Sequence, residues 1–168
     1  MTVNITWSEN AGGSAITSVS WGNIQNGDEA TAKDVYFWHD GTEKITNCQL
    51  YIQPFSGTYG GSASAQDDYN ELIAWGDGAS DEGFLLNQDT EPPPGSDSYQ
   101  THNSSQGTAS APFTLSRSAV IGAGGAGTAG ELDAGETAHI QVKIKVPSGE
   151  DTAGTRQFDQ CLKYTYTS

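Results

Sequence analysis

Apolar and polar positions alternate along this chain in short runs separated by clusters of Gly, Asn, Asp and Ser. A period of two is the mark of β-strands, whose successive side chains point to opposite faces. Val3-Asn4-Ile5-Thr6-Trp7 predicts a first strand. Ile16 to Ile24, carrying Val19 and Trp21, predicts a second, ended by the turn signal Asn26-Gly27. The apolar run Asp34-Val35-Tyr36-Phe37-Trp38 closes at Asp40-Gly41, a dipeptide suited to a tight hairpin. Its expected partner is Lys44 to Gln53, stopped by Pro54.

Beyond a Gly/Ser loop from Gly57 to Ala65, the segment Asp67 to Trp75 reads equally as a short helix or a strand. Its acidic opening suits the positive end of a helix dipole. Phe84-Leu85-Leu86 reads as a brief strand. The stretch 88–112 is rich in Pro, Ser, Gly and Asn, and Pro92-Pro93-Pro94 demands extended backbone there. It reads as a long surface excursion of the kind that often carries function or contacts a neighbour. Phe113-Thr114-Leu115 and Ala119-Val120-Ile121 lead into a Gly-rich loop, 122–130, read as flexible. His139 to Val146 alternates without a break and points Ile140, Val142, Ile144 and Val146 inward. Pro147 stops it, and Gln157 to Thr167 makes the last strand. The sum is an all-β antiparallel sandwich of about seven or eight strands, with at most one short helix. No internal repeat suggests a solenoid or propeller.

Two stretches add a resemblance. Val35-Tyr36-Phe37-Trp38-His39-Asp40-Gly41 is followed by Ile45 to Ile52. Leu132-Asp133-Ala134-Gly135-Glu136-Thr137-Ala138 is followed by the alternating strand to Val146-Pro147 and then Ala153-Gly154. Both resemble the pattern of immunoglobulin-like β-sandwich modules, which occur in adhesins, in carbohydrate-active enzymes and in decoration or accessory proteins of tailed viruses. The resemblance implies one immunoglobulin-like domain over 1–168, with Gly135 turning the corner into a strand that Pro147 ends at a sheet edge. It also implies a non-enzymatic virion surface protein, a capsid decoration or tail accessory protein. Such a protein is assembled in the host cytoplasm and contacts other virion proteins, and it often forms homo-oligomers. A carbohydrate-binding or adhesion module with a glycan partner is the alternative, since one sandwich hosts many tasks.

Composition narrows the partners. The 168 residues include 21 Asp+Glu against 7 Lys+Arg, a formal charge of −14. Such a surface repels phosphate backbones and offers no basic cluster, which argues against nucleic acid and anionic membranes as partners. Acidity suits either simple solubility or a high-salt setting, where screening removes self-repulsion. The 4 Trp, 7 Tyr and 5 Phe supply enough apolar area to set this chain apart from disordered ones. The opening Met1 to Trp7 lacks the charged and apolar regions of a signal peptide, and no apolar run is long enough to span a bilayer.

Candidate chemistry is sparse. Gly122-Ala123-Gly124-Gly125-Ala126-Gly127 matches G-x-G-x-x-G literally, but no helix pattern follows it, so it reads as a loop rather than a dinucleotide cradle. Asp77, Asp81 and Glu82 gather carboxylates in one turn and are the candidate calcium ligands, although the spacing is not that of an EF-hand. His39, His102 and His139 lack zinc spacing, and no G-x-S-x-G elbow occurs. Trp21, Phe37 or Trp38, and Trp75 read as core anchors, whereas Tyr59 and Tyr99 sit in polar loops and are the candidates for an exposed contact. Alternation places Cys48 and Cys161 on opposite faces of their strands, which argues against a disulfide between them.

Overall fold

The computed structural model describes residues 3–89 and 98–166. Eight strands lie among them: β1 (Ile5–Ser8), β2 (Lys33–His39), β3 (Ile45–Pro54), β4 (Gly83–Asn87), β5 (Tyr99–Thr101), β6 (Phe113–Thr114), β7 (Thr137–Lys145) and β8 (Phe158–Tyr166). One helix, α1 (Ala65–Gly78), separates β3 from β4. The strands form two antiparallel sheets, ordered β1-β2-β7-β4-β5 and β6-β3-β8. The fold is therefore an all-β sandwich.

The alternating sequence explains what fills it. Val35 and Phe37 on β2, Ile140 and Val142 on β7, and Phe84 and Leu86 on β4 are buried and face inward from the larger sheet. Ile45, Leu50 and Ile52 on β3, with Phe113 and Leu115, close on them from the smaller sheet. A buried side chain of this size contributes roughly 1.5–3 kcal/mol from apolar transfer. On one side the two sheets are stitched by buried Gln88. Its Nε2 donates to Gln100 Oε1 at 2.8 Å and to the Thr114 carbonyl at 3.1 Å, and its Oε1 accepts from Ser116 N at 2.8 Å. On the opposite side β1 and β8 are both sheet edges.

Several expectations need correction. Asp40-Gly41 does not close a hairpin: β2 pairs with β1 and β7, while β3 pairs with β6 and β8, so the turn carries the chain from one sheet to the other. Pro147 does not end an edge strand, since β7 runs through the middle of the larger sheet. Ile16 to Ile24 makes no strand, yet Val19 and Trp21 still pack against the core, Trp21 edge-on to Phe84 at 6.1 Å. Arg117–Ala119 is a 3-10 turn, and after it Val120 bridges β7 at Ala138.

The excursion 88–112 is more than surface: it contains β5, buried His102 and Thr108, and Gly107. The expectation for Pro92-Pro93-Pro94 lies outside the described residues. Of the core anchors, Phe37 points inward in preference to Trp38, and half-buried Trp75 donates from Nε1 to Glu150 Oε2 at 3.1 Å.

Asp67 to Trp75 lies within the helix. Ser64 caps α1 by accepting from Asp67 N, and Asp67 and Asp68 occupy the first turn, where the helix dipole favours carboxylates. The helix packs against β3, β4 and β8. Asp68, only 1% exposed, pins it: its Oδ2 accepts from Tyr59 Oη and from Gln157 N, both at 2.8 Å. Arg156 adds a two-pronged ion pair to Glu71 on the next turn.

Candidate functional site

The carboxylates named from sequence do not converge. Asp77 accepts from Ser104 N at 3.0 Å and from Ser104 Oγ at 2.8 Å, which ties the end of α1 to the loop after β5. Asp81 pairs with Lys145, whose ammonium holds its carboxyl below the ordinary range. Glu82 is half-buried beside this pair. Among the described residues no three His, Cys, Asp or Glu side chains are grouped to hold a metal ion. The calcium ligand set of Asp77, Asp81 and Glu82 is thus not assembled.

The two tyrosines are likewise engaged. Tyr59 is a strut for α1, donating to Asp68 and accepting from Ala63 N at 3.1 Å. Tyr99 carries Lys143 Nζ 3.9 Å above its ring centre, a cation–π contact. The glycines of 122–130 wrap an internal cation instead of cradling a phosphate. Arg117, 8% exposed, donates to the carbonyls of Ala126 and Glu131 at 2.8 and 2.9 Å. The tract expected to be flexible is therefore a series of hydrogen-bonded turns closed around Arg117. Of the histidines, His139 meets Asp34 at 2.9 Å, His39 Nδ1 accepts from Gly41 N, and His102 is buried between Phe84 and Phe113.

A concave feature lies elsewhere. An open groove of about 490 Å³ runs between the free edges of β1 and β8 and reaches over β8 to β3. Val3, Ile5 and Trp7 form one wall, and Leu162 and Tyr164 the other. All five are half-buried, packed against the core on one side and open on the other. Trp7 is held by Phe37, its directly opposed neighbour on β2, at 4.8 Å between ring centres. Tyr51 and Gln53 of β3, Gln160 and Cys161 of β8, and Asn4 complete the lining.

No lining residue is an acid or a base of ordinary range. The groove's Tyr51 phenol and Cys161 thiol both stay protonated at neutrality. Burial is the main force raising the Tyr51 phenol and the Cys161 thiol, and the two side chains are hydrogen-bonded to each other. In a chain of charge −14 this is an uncharged surface of aromatic rings and carboxamides. Such a lining stacks and hydrogen-bonds a ligand; its one thiol is protonated and a poor nucleophile.

The backbone of β1 is available as well. Asn4 O accepts from Asp40 N, so even positions bond to β2 and odd positions turn their N–H and C=O outward. Trp7 O is taken by Ile16 N at 2.8 Å, which leaves Ile5 facing the groove edge. Sequence reasoning missed this site because its parts come from three distant segments with no shared local motif. Comparison with protein-family models, curated proteins and solved structures returned no match.

Proposed function

We propose that this chain is a non-enzymatic recognition module of immunoglobulin-like type that binds carbohydrate in the groove between β1 and β8. The observation that carries the reading is the uncharged wall of Trp7, Tyr51 and Tyr164 set among Asn4, Gln53 and Gln160. Sugars present apolar C–H faces that stack on aromatic rings and hydroxyls that pair with amides, and both partners are supplied here. The fixed position of Trp7 against Phe37 lowers the entropy lost on binding. A glycan array probed with the whole chain is expected to give hits that Tyr51→Ala and Trp7→Ala both abolish. Trp7→Ala also loosens contact with Phe37, so Tyr51→Ala, on the outer lip, is the cleaner variant. An array without hits sinks the reading.

The sequence resemblance supports a virion as the setting, with the module displayed on a capsid or tail among other virion proteins. There the acidic exterior would keep particles dispersed through like-charge repulsion, and the groove would meet host-surface glycans. Co-sedimentation with purified particles tests this setting, and its failure leaves the groove reading to stand alone.

A further inference from the structure

The turn at Asn26-Gly27 ends a segment with an unusual hold on the fold. Residues 17–24 form no strand or helix, and Val19 and Trp21 pack against the core. Among the described residues, the backbone of 17–24 makes no hydrogen bond to another backbone group. The segment is fastened at its two ends instead. Ile16 N donates to the Trp7 carbonyl at 2.8 Å, and Gly27 N to the Val146 carbonyl at 3.0 Å. Asn26 reinforces the second fastening, since its Nδ2 donates to the Glu150 carbonyl. Asn26 and Gly27 are both exposed, and neither lines the groove. Of the eight asparagines in the chain, only Asn26 precedes a glycine.

We propose that Asn26 is a modification site, where the chain deamidates spontaneously, and that the change unfastens residues 17–24. Glycine has no Cβ to crowd its own backbone nitrogen, so Gly27 N can approach the neighbouring side chain. It attacks Asn26 Cγ and forms the new C–N bond of a five-membered imide. The Cγ–Nδ2 bond breaks, and Nδ2 leaves as ammonia with the proton that Gly27 N gives up. Water then opens the ring to aspartate or isoaspartate, so one amide and one water become a carboxylate and an ammonium ion. In the folded chain Val146 withholds the attacking nitrogen, and the reaction waits on local opening of the turn. The product cannot restore the fastening. A carboxylate only accepts, and it would face the Glu150 carbonyl to which the amide had donated. Isoaspartate also adds a carbon to the backbone and shifts Gly27 N away from Val146.

The test ages the whole native chain at mildly alkaline pH beside a sample unfolded in urea. Peptide mass mapping then locates where amide has turned to acid. Asn26 is expected to convert ahead of the other asparagines in both samples. Its conversion should be at least about tenfold slower in the folded chain, the factor that the two hydrogen bonds holding the turn correspond to. Thermolysin, which cuts beside apolar residues such as Val19 and Ile24, should clip 17–24 faster in the aged protein and in Asn26→Asp than in fresh protein. The aged chain folded before it changed, so that comparison stands even if Asn26→Asp folds poorly. Conversion that comes first at another asparagine, or that is equally fast in folded and unfolded chains, overturns the site. Unchanged clipping after conversion overturns the unfastening.

Discussion

Arg117 and Glu136 meet fork to fork: Nη1 donates to Oε2 at 2.9 Å and Nη2 to Oε1 at 2.8 Å. The pair is nearly dry on the arginine side, and the same guanidinium gathers the carbonyls of Ala126 and Glu131. Glu136 also accepts from Asp133 N at 2.8 Å, so one ion pair closes both the glycine-rich turns and the corner into β7.

Breaking that pair is expected to destabilise strongly, because removing one partner strands the other. Arg117→Met should lower unfolding free energy by roughly 2–4 kcal/mol, measured by chemical denaturation. Arg117 holds the Glu136 carboxyl below its ordinary range. A depressed carboxylate stabilises above its unfolded pKa, and the gain fades as pH falls through the folded one. Glu136→Gln should therefore approach the native protein in stability at acid pH and fall below it at neutrality. A Glu136→Gln deficit that stayed constant with pH would refute this account.

His102 gives a second pH signature. It is fully buried, its Nδ1–H donates to the Phe84 carbonyl at 3.0 Å, and Nε2 faces no partner. Desolvation pushes its pKa down from 6.5 to about 4. Between those values the unfolded chain binds the proton and the folded chain refuses it, so stability falls as pH drops from 6.5 towards 4. The loss totals about 3 kcal/mol. In His102→Phe, which keeps an aromatic ring between Phe84 and Phe113, this slope should disappear. The Phe84 carbonyl keeps a donor there in His102 N, at 3.1 Å. Urea midpoints taken at intervals across that pH range decide it.

Gly76 is where α1 meets the loop after β5. A Cβ at this position would overlap the His102 carbonyl oxygen, which is backbone and cannot step aside. Alanine normally strengthens a helix, yet Gly76→Ala should destabilise here by about 1–3 kcal/mol through overpacking. Thermal melting checks the sign, and a stabilised variant would show that the helix shifts freely on the sheet.

The sequence was legible where burial on one face left a regular trace. The β7 alternation placed Ile140, Val142 and Val146 inward as observed, and the opposite faces of Cys48 and Cys161 matched the two free thiols. Ile16 to Ile24 shows the limit of that signal: Val19 and Trp21 are packed against the core as their spacing implies, but no ladder forms, because alternation reports sidedness and not hydrogen bonding. Asp40-Gly41 marked a turn correctly and its partner wrongly, since turn chemistry is local while strand pairing is decided by distant residues. The helix signal was present in Ser64-Ala65-Gln66-Asp67, a capping pattern that begins three residues before the acidic opening at Asp67. The groove left no trace, because no short window holds both Trp7 and Tyr164.

The crossing at Asp40-Gly41 also governs how the chain can be made. β2 is completed by β7 and β3 by β8, so each sheet joins the first third of the sequence to its last third. Emerging from a ribosome, β2 and β3 would each wait with an open hydrogen-bonding edge until nearly the whole chain had appeared. Their apolar faces are exposed to wrong partners throughout that interval. A C-terminal truncation before β7 removes the central strand of one sheet and an edge of the other, so it should abolish both sheets together instead of trimming one.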